Sequence, residues 1–226
     1  AYDSGIRVLL SGMGADEVFG GYRKYRAVLM ARQFRKAPVL IQEALRRTTS
    51  ALPVATQAGG LRGLRWARRF LAAVQNDEFE TFMAMGTYCA KDRLRRLCGG
   101  APFDYDDLPN VTACRQAWDA ARSLPITARM SYVDMLTFLP GLNLTYCDKA
   151  SMAGSVEVRP PLIDHRIIEL ALAWPDQFRI SGGEQKRAMR LAVSTWVPEA
   201  IRHRPKAPFS APLRSWLRRQ LRGLMK

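Results

Sequence analysis

Metal-ligating residues are scarce in this chain. Its 226 residues include two histidines, His165 and His203, and four cysteines, Cys89, Cys98, Cys114 and Cys147, none in C-x-x-C spacing. A structural zinc site gathers four such ligands from paired positions, so this pattern argues against zinc. Scattered thiols of this kind read as free cysteines in a reducing cytoplasm. No run of 18 apolar residues is present, which argues against a membrane-spanning helix, and no secretory signal pattern is visible. There is no internal repeat or low-complexity tract. The hydrophobic fraction of 48% excludes general disorder and allows one large core or two small ones.

Acidic residues are also in deficit, 20 against 35 Lys and Arg, a net charge of +15. Basic residues cluster at 23–36, at Arg62, Arg65, Arg68 and Arg69, at 93–96 and at 214–222. Such clusters can be a footprint for nucleic acid. No helix-turn-helix, zinc-finger or RNA-binding aromatic motif accompanies them, so solvated helix faces are the preferred reading and nucleic acid is not expected as a partner.

What is present concentrates at residues 8–26, VLLSGMGADEVFGGYRKYR. The apolar run Ile6, Val8, Leu9 and Leu10 predicts a strand. It empties through Ser11-Gly12-Met13-Gly14-Ala15 into the acidic pair Asp16-Glu17 and a helical pattern (Val18, Phe19, Tyr22, Tyr25, Val28, Leu29). A strand that turns through Ser and Gly into a helix can face an anion with backbone N–H groups, and glycine permits close approach. Two carboxylates would repel a bare phosphate but suit Mg²⁺ bridging phosphate oxygens. The alternative is that Asp16 and Glu17 only favour the positive end of a helix.

The segment SGMGADEVFGGY resembles the SG-(acidic)-G-x-DE-x-FGGY segment of the asparagine synthetase family, in its ATP-using synthetase domain. Residues 148–172, DKASMAGSVEVRPPLIDHRIIELAL, are similar to that family's D-x-x-SMA-x-S-x-E-x-R-x-P-x-x-D segment. A looser third match follows in the same order: Lys186 to Arg190, Pro198 to Ile201, then Arg204-Pro205-Lys206 and Phe209. Residues 38–130 contribute little. The family's glutaminase module uses an N-terminal Cys, where this chain has Ala1. Its pyrophosphate loop, SGG-x-DS, is also missing, since Ser181-Gly182-Gly183 continues as Glu184-Gln185 and reads as a turn. The expectation is therefore a C-terminal fragment, 1–226, of the synthetase domain, lacking the glutaminase domain and the pyrophosphate loop. The fold expected from the resemblance is mainly α, the helical portion of an α/β adenine-nucleotide α-hydrolase-like (ATP-pyrophosphatase) domain with a remnant of parallel strand.

The residue pattern predicts one strand (5–10) and helices over 16–36, 39–47, 61–74, from an N-cap at Asn76 to Tyr88, and over 91–97, 111–122 and 127–139. After a break at Pro140-Gly141, helices are predicted over 142–153, 162–173, 185–193 and 213–221. Residues 51–60 and 101–109 read as loops.

The resemblance implies ATP-dependent amide formation. A carboxylate attacks the α-phosphate of ATP, and ammonia then displaces AMP from the acyl-adenylate; aspartate would give asparagine. ATP and Mg²⁺ are implied, with a small carboxylate as substrate; a cytoplasmic location is expected, and a homodimer stays open. Ser11 and Gly12 match ATP-contacting backbone. Asp16 and Glu17 match acids near Mg²⁺ and pyrophosphate. Lys186 matches a lysine that stabilises the adenylation transition state, a role a mobile ammonium suits. Arg204 and Lys206 are weighed equally as phosphate helpers and as solvated tail. Asp148, Glu157, Arg159 and Asp164 are expected to form buried ion pairs, with substrate contact as the second reading. Met152 and Val156 are expected to pack, and Phe19 and Tyr22 to anchor the first helix.

One position departs from the pattern. The acidic residue after Ser-Gly, linked in the family to forming the acyl-adenylate, is here Met13, which cannot carry charge or bind Mg²⁺. Three readings of Met13 stay open: a different acyl acceptor or carboxylate, a slow or inactive enzyme, or another carboxylate that substitutes; a relative that cyclises an amide and a non-catalytic binding module are the alternative functions. Met13→Glu in the full-length protein is expected to raise the rate of amide formation from aspartate; an unchanged rate in an asparagine assay would remove this position as the determinant.

Overall fold

A computed structural model of the chain describes residues 1–51, 62–74, 77–87, 89, 91–99, 104–204 and 213–225. They form two units, Ala1–Met189 and Arg190–Lys226. The first opens with β1 (Val8–Leu10), α1 (Ala15–Phe19), α2 (Arg23–Phe34), α3 (Val39–Ala51), α4 (Arg62–Ala73), α5 (Glu78–Gly86), α6 (Lys91–Leu97), α7 (Pro109–Ala120) and α8 (Ile126–Leu136). A π-helical turn (Leu139–Leu144) leads into α9 (Thr145–Ala153), then β2 (Glu157–Arg159), α10 (His165–Leu172), α11 (Asp176–Arg179), β3 (Ile180–Ser181) and β4 (Glu184–Gln185). After α12 (Arg187–Ala192) the second unit contains α13 (Glu199–Arg202) and α14 (Leu213–Arg218). The chain is mainly helical, as expected.

The expected strand is present, shortened to three residues, and it has a partner: β1 pairs in parallel with β2, Val8 opposite Glu157 and Leu10 opposite Arg159. The two resembling segments thus lie side by side. Gly14, at φ 84°, seals the junction, because a Cβ there would overlap the Ile163 side chain.

The single helix expected over 16–36 is two helices. Gly20, at φ 76°, ends α1 in the left-handed region that glycine reaches without steric penalty, and its N–H donates to the Asp16 carbonyl. α2 then packs on two faces. Tyr25 and Val28 join Phe79 and Phe82 of α5, Trp118 of α7, and Met130 and Val133 of α8. On another face Ala27 and Ala31 are small enough to admit Phe70, Leu71 and Val74. Each large buried side chain contributes about 1.5–3 kcal/mol. Pro140 does not break the chain; it sits in the first turn of the π-helical segment, where its missing N–H costs little, and α9 continues directly. The cap of α5 is Asp77, whose side chain accepts from Phe79 N–H at 3.0 Å; Asn76 lies outside the described residues, as do 52–60 of the expected 51–60 loop. The helix expected from 162 starts at His165, capped by Asp164. Val156 packs (6% exposed), but Met152 is exposed. The four cysteines are free thiols.

Arg179 is fully buried. Its Nη1 donates to the Val18 carbonyl (2.7 Å) and Ser131 Oγ (2.8 Å), and its Nη2 donates to the Ala171 carbonyl. Burial pulls its pKa down to about 10, so it stays charged at neutral pH. Arg179→Met would leave these acceptors unpaired and is expected to cost about 3 kcal/mol of folding free energy, measured by urea denaturation.

Candidate functional site

The corner after β1 is held by both resembling segments. Ser11 N–H continues the sheet pattern by donating to the Arg159 carbonyl (2.9 Å), and its Oγ accepts from Met13 N–H (3.2 Å). The space where a Cβ of Gly12 would sit is open, so a ligand could approach this backbone. Met13 is half-buried at the same turn.

Asp16 and Glu17, adjacent in sequence, part company. Asp16 is partly exposed, and its Oδ1 lies 2.9 Å from Lys186 Nζ. Glu17 is 1% exposed, and its Oε1 accepts from Tyr22 Oη (2.6 Å) and Asn143 Nδ2 (2.8 Å). Its Oε1 is thus engaged by protein donors, so the two acids have different partners. Phe19 and Tyr22 do anchor the first helices: Phe19 is buried and Tyr22 packs edge-on against Tyr25 and Phe138.

Lys186 reaches Asp16 because of the hairpin before it. Gly182 and Gly183 have φ of 57° and 84°, the two positive values a two-residue type I′ hairpin needs. Ser181-Gly182-Gly183 is thus a tight turn between β3 and β4, as read from the sequence. Lys186 follows at φ 56°, a left-handed conformation unusual for a residue with a Cβ.

The acids of the second segment do not form buried pairs. Glu157 and Arg159 make an exposed bidentate pair (2.7 and 3.0 Å). Asp164 pairs with Arg166 and caps α10, and the Arg166 guanidinium and N–H pull its carboxyl down to about 2. Asp148 is exposed. These charges sit at β2 and helix termini, where water can solvate them, so no desolvation forces them together. Arg204 belongs to the second unit, and Lys206 and Phe209 lie outside the described residues.

Behind Glu17 lies a network the sequence did not disclose. Asp134, 2% exposed, accepts from Lys24 Nζ and Tyr25 Oη, both at 2.6 Å. Burial raises its pKa while Lys24 opposes the shift. Lys24 Nζ also lies 4.4 Å from the Phe82 ring centre. A Lys-x-x-x pattern in a chain with 35 basic residues carries no signal for such a network, and neither does Asn143 in Leu-Pro-Gly-Leu-Asn. Among the described residues, no group of three or more His, Cys, Asp or Glu could hold a metal ion, and no helix is long and apolar enough to cross a membrane.

The family model for asparagine synthase matches residues 1–226. The chain belongs to the asparagine synthase family. It is 33% identical over 216 residues to a putative glutamine-hydrolyzing asparagine synthetase of Mycobacterium tuberculosis, covering 94% of this chain and 31% of that protein. It is 29% identical to glutamine-hydrolyzing asparagine synthetase 1 of Bacillus subtilis, covering 96% and 32%. It also resembles amidase chyE of Penicillium rubens, at 25% identity over 94% and 33%. The chain thus spans about a third of the length of these curated relatives. No solved structure matches.

Burial and the neighbouring acids Glu17 and Asp134 raise the pKa of Tyr22 and of Tyr25 above the usual phenol value near 10. An unfolded tyrosine loses its proton near pH 10 while these keep theirs. Their contribution is therefore fully present below pH 10 and is lost as pH rises further. Urea denaturation from pH 8 to 11 should show stability falling above pH 10, with a shallower fall in Tyr22→Phe.

Proposed function

We propose that this chain supplies the phosphate-facing half of an ATP-dependent amide-forming enzyme that works through an acyl-adenylate. The observation that carries the reading is the 2.9 Å approach of Lys186 Nζ to Asp16 Oδ1, beside the Ser11-Gly12 corner. An ammonium and a carboxylate far apart in sequence meet where open glycine backbone can receive an anion.

Magnesium fits this corner in a restricted way. Mg²⁺ commonly takes one or two carboxylates and completes its shell with water and substrate phosphates. Asp16 supplies one carboxylate, Glu17 is engaged elsewhere, and no all-protein cage exists among the described residues. When bound, the ion would neutralise charge on the phosphates. The substrate carboxylate forms a bond to the α-phosphorus as the bond to pyrophosphate breaks. Lys186 would exchange Asp16 for a phosphate oxygen and stabilise the charge that builds on the departing group. Ammonia then bonds to the acyl carbon, AMP leaves, and the nitrogen loses its proton. Glu17, with Tyr22 and Asn143, holds the turn that presents Asp16.

Met13 favours a second reading within the same chemistry, in which the activated carboxylate is not aspartate. A methionine at the corner removes a negative charge and offers an apolar surface. The similarity to proteins named amidases fits this reading.

The test is carboxylate-dependent ATP–pyrophosphate exchange by the full-length protein. Asp16→Asn and Lys186→Gln should each lower exchange by about 100-fold or more. Glu17→Gln, whose amide oxygen can still accept from Tyr22 and Asn143, should stay within about fivefold. Equal losses at Asp16 and Glu17 would restore the paired-acid view, and normal exchange in Lys186→Gln would end this reading.

A further inference from the structure

Gly21 lies where the two halves of the site meet. Unlike Gly20, it does not have a positive φ, so its backbone would accept alanine. The obstacle to a side chain is local: a Cβ there would overlap Asp16 Oδ1 and Lys186 Cε and crowd Asp16 Cγ. Gly21 is buried, and its N–H donates to the Asp16 carbonyl at 2.7 Å. It therefore fixes the backbone of Asp16 and leaves room for both side chains.

We propose that Gly21 is a positioning residue of the reaction, whose missing side chain gives Lys186 and Asp16 the space in which they meet. The inference rests on the functional reading above and adds a residue that touches no substrate. The atoms a methyl group would displace are the mobile ends of two side chains, not backbone, so the fold can yield where the chemistry cannot. The strained backbone of Lys186 points the same way. A left-handed lysine after a tight hairpin has its reach set by the turn and little freedom to find another route to Asp16.

In the full-length protein, Gly21→Ala should lower kcat for ATP–pyrophosphate exchange at least about tenfold, as misplacement near the reacting atoms does. KM for ATP should stay within about threefold, and the melting temperature should move by no more than about 3 °C. A mutant cycle separates positioning from damage. If Gly21 acts through these two side chains, adding Gly21→Ala to an Asp16→Ala, Lys186→Ala protein, which lacks every atom the methyl group would meet, should lower the residual kcat by less than about twofold, whereas a general structural role would cost the same factor again. Wild-type kcat in Gly21→Ala, a larger loss of melting temperature, or full additivity overturns the inference and leaves the functional reading standing. Wild-type protein without exchange on any carboxylate overturns both.

Discussion

The Arg179 guanidinium is the contact on which the arrangement of the first unit turns. Burying a guanidinium is costly unless its N–H groups are met. Here Nη1 and Nη2 are met by carbonyls and a hydroxyl from three elements, Val18 near the end of α1, Ala171 near the end of α10 and Ser131 within α8, while Nε is buried without a partner among the described residues. The last turns of helices carry carbonyls without intrahelical partners, and a cation is favoured there. One side chain thus gathers two helix ends against a third helix. It is also the residue immediately before β3. The helix bearing Asp16 and the hairpin leading to Lys186 are therefore tied through a single cation, and the Asp16–Lys186 approach follows from that tie.

The other side of the corner depends on the absence of side chains. β1 is exposed along its length, with Leu10 at 75%, so burial does little to hold it. Its place is set by the ladder to β2, by the bond from Ser11 to the Arg159 carbonyl, and by Ile163 seated against Gly14. Around that contact Ala15, Val18 and Phe19 pack with Ile167, Ile168 and Trp174. Small residues bring the segments close enough for larger ones on the same face to interlock.

Much of this was legible in the sequence, and the failures share a cause. The strand, most helices and the role of Gly182-Gly183 follow from local pattern. The break at Gly20-Gly21 was missed because Val18, Phe19, Tyr22 and Tyr25 keep helical spacing across it; the reason for the glycines is a contact with Arg179, Ile180 and Lys186, far away in sequence. β2 is three residues with one apolar side chain, and only its pairing makes it a strand. Arg179 looks like surface in a chain this basic. The charged residues of 148–164 read as interior ion pairs because apolar residues surround them in sequence, yet each finds a partner within two residues or is exposed.

Two of the Lys–Asp pairs in the first unit, Lys24–Asp134 and Lys186–Asp16, differ in burial. In Lys24–Asp134 the carboxylate side chain is 3% exposed and holds a second donor, Tyr25. Removing either partner would strand a buried charge, so the pair is fixed. In Lys186–Asp16 the side chains are 27% and 26% exposed. A pair so placed contributes little net stability, because water solvates each partner nearly as well as they solvate each other. Such a pair can keep two charges in register while no ligand is present and yield when a more strongly charged ligand offers each a better partner. Under the proposed function the corner receives a polyanion, which needs charges that are held but not committed, and the partial exposure of this pair supports that reading.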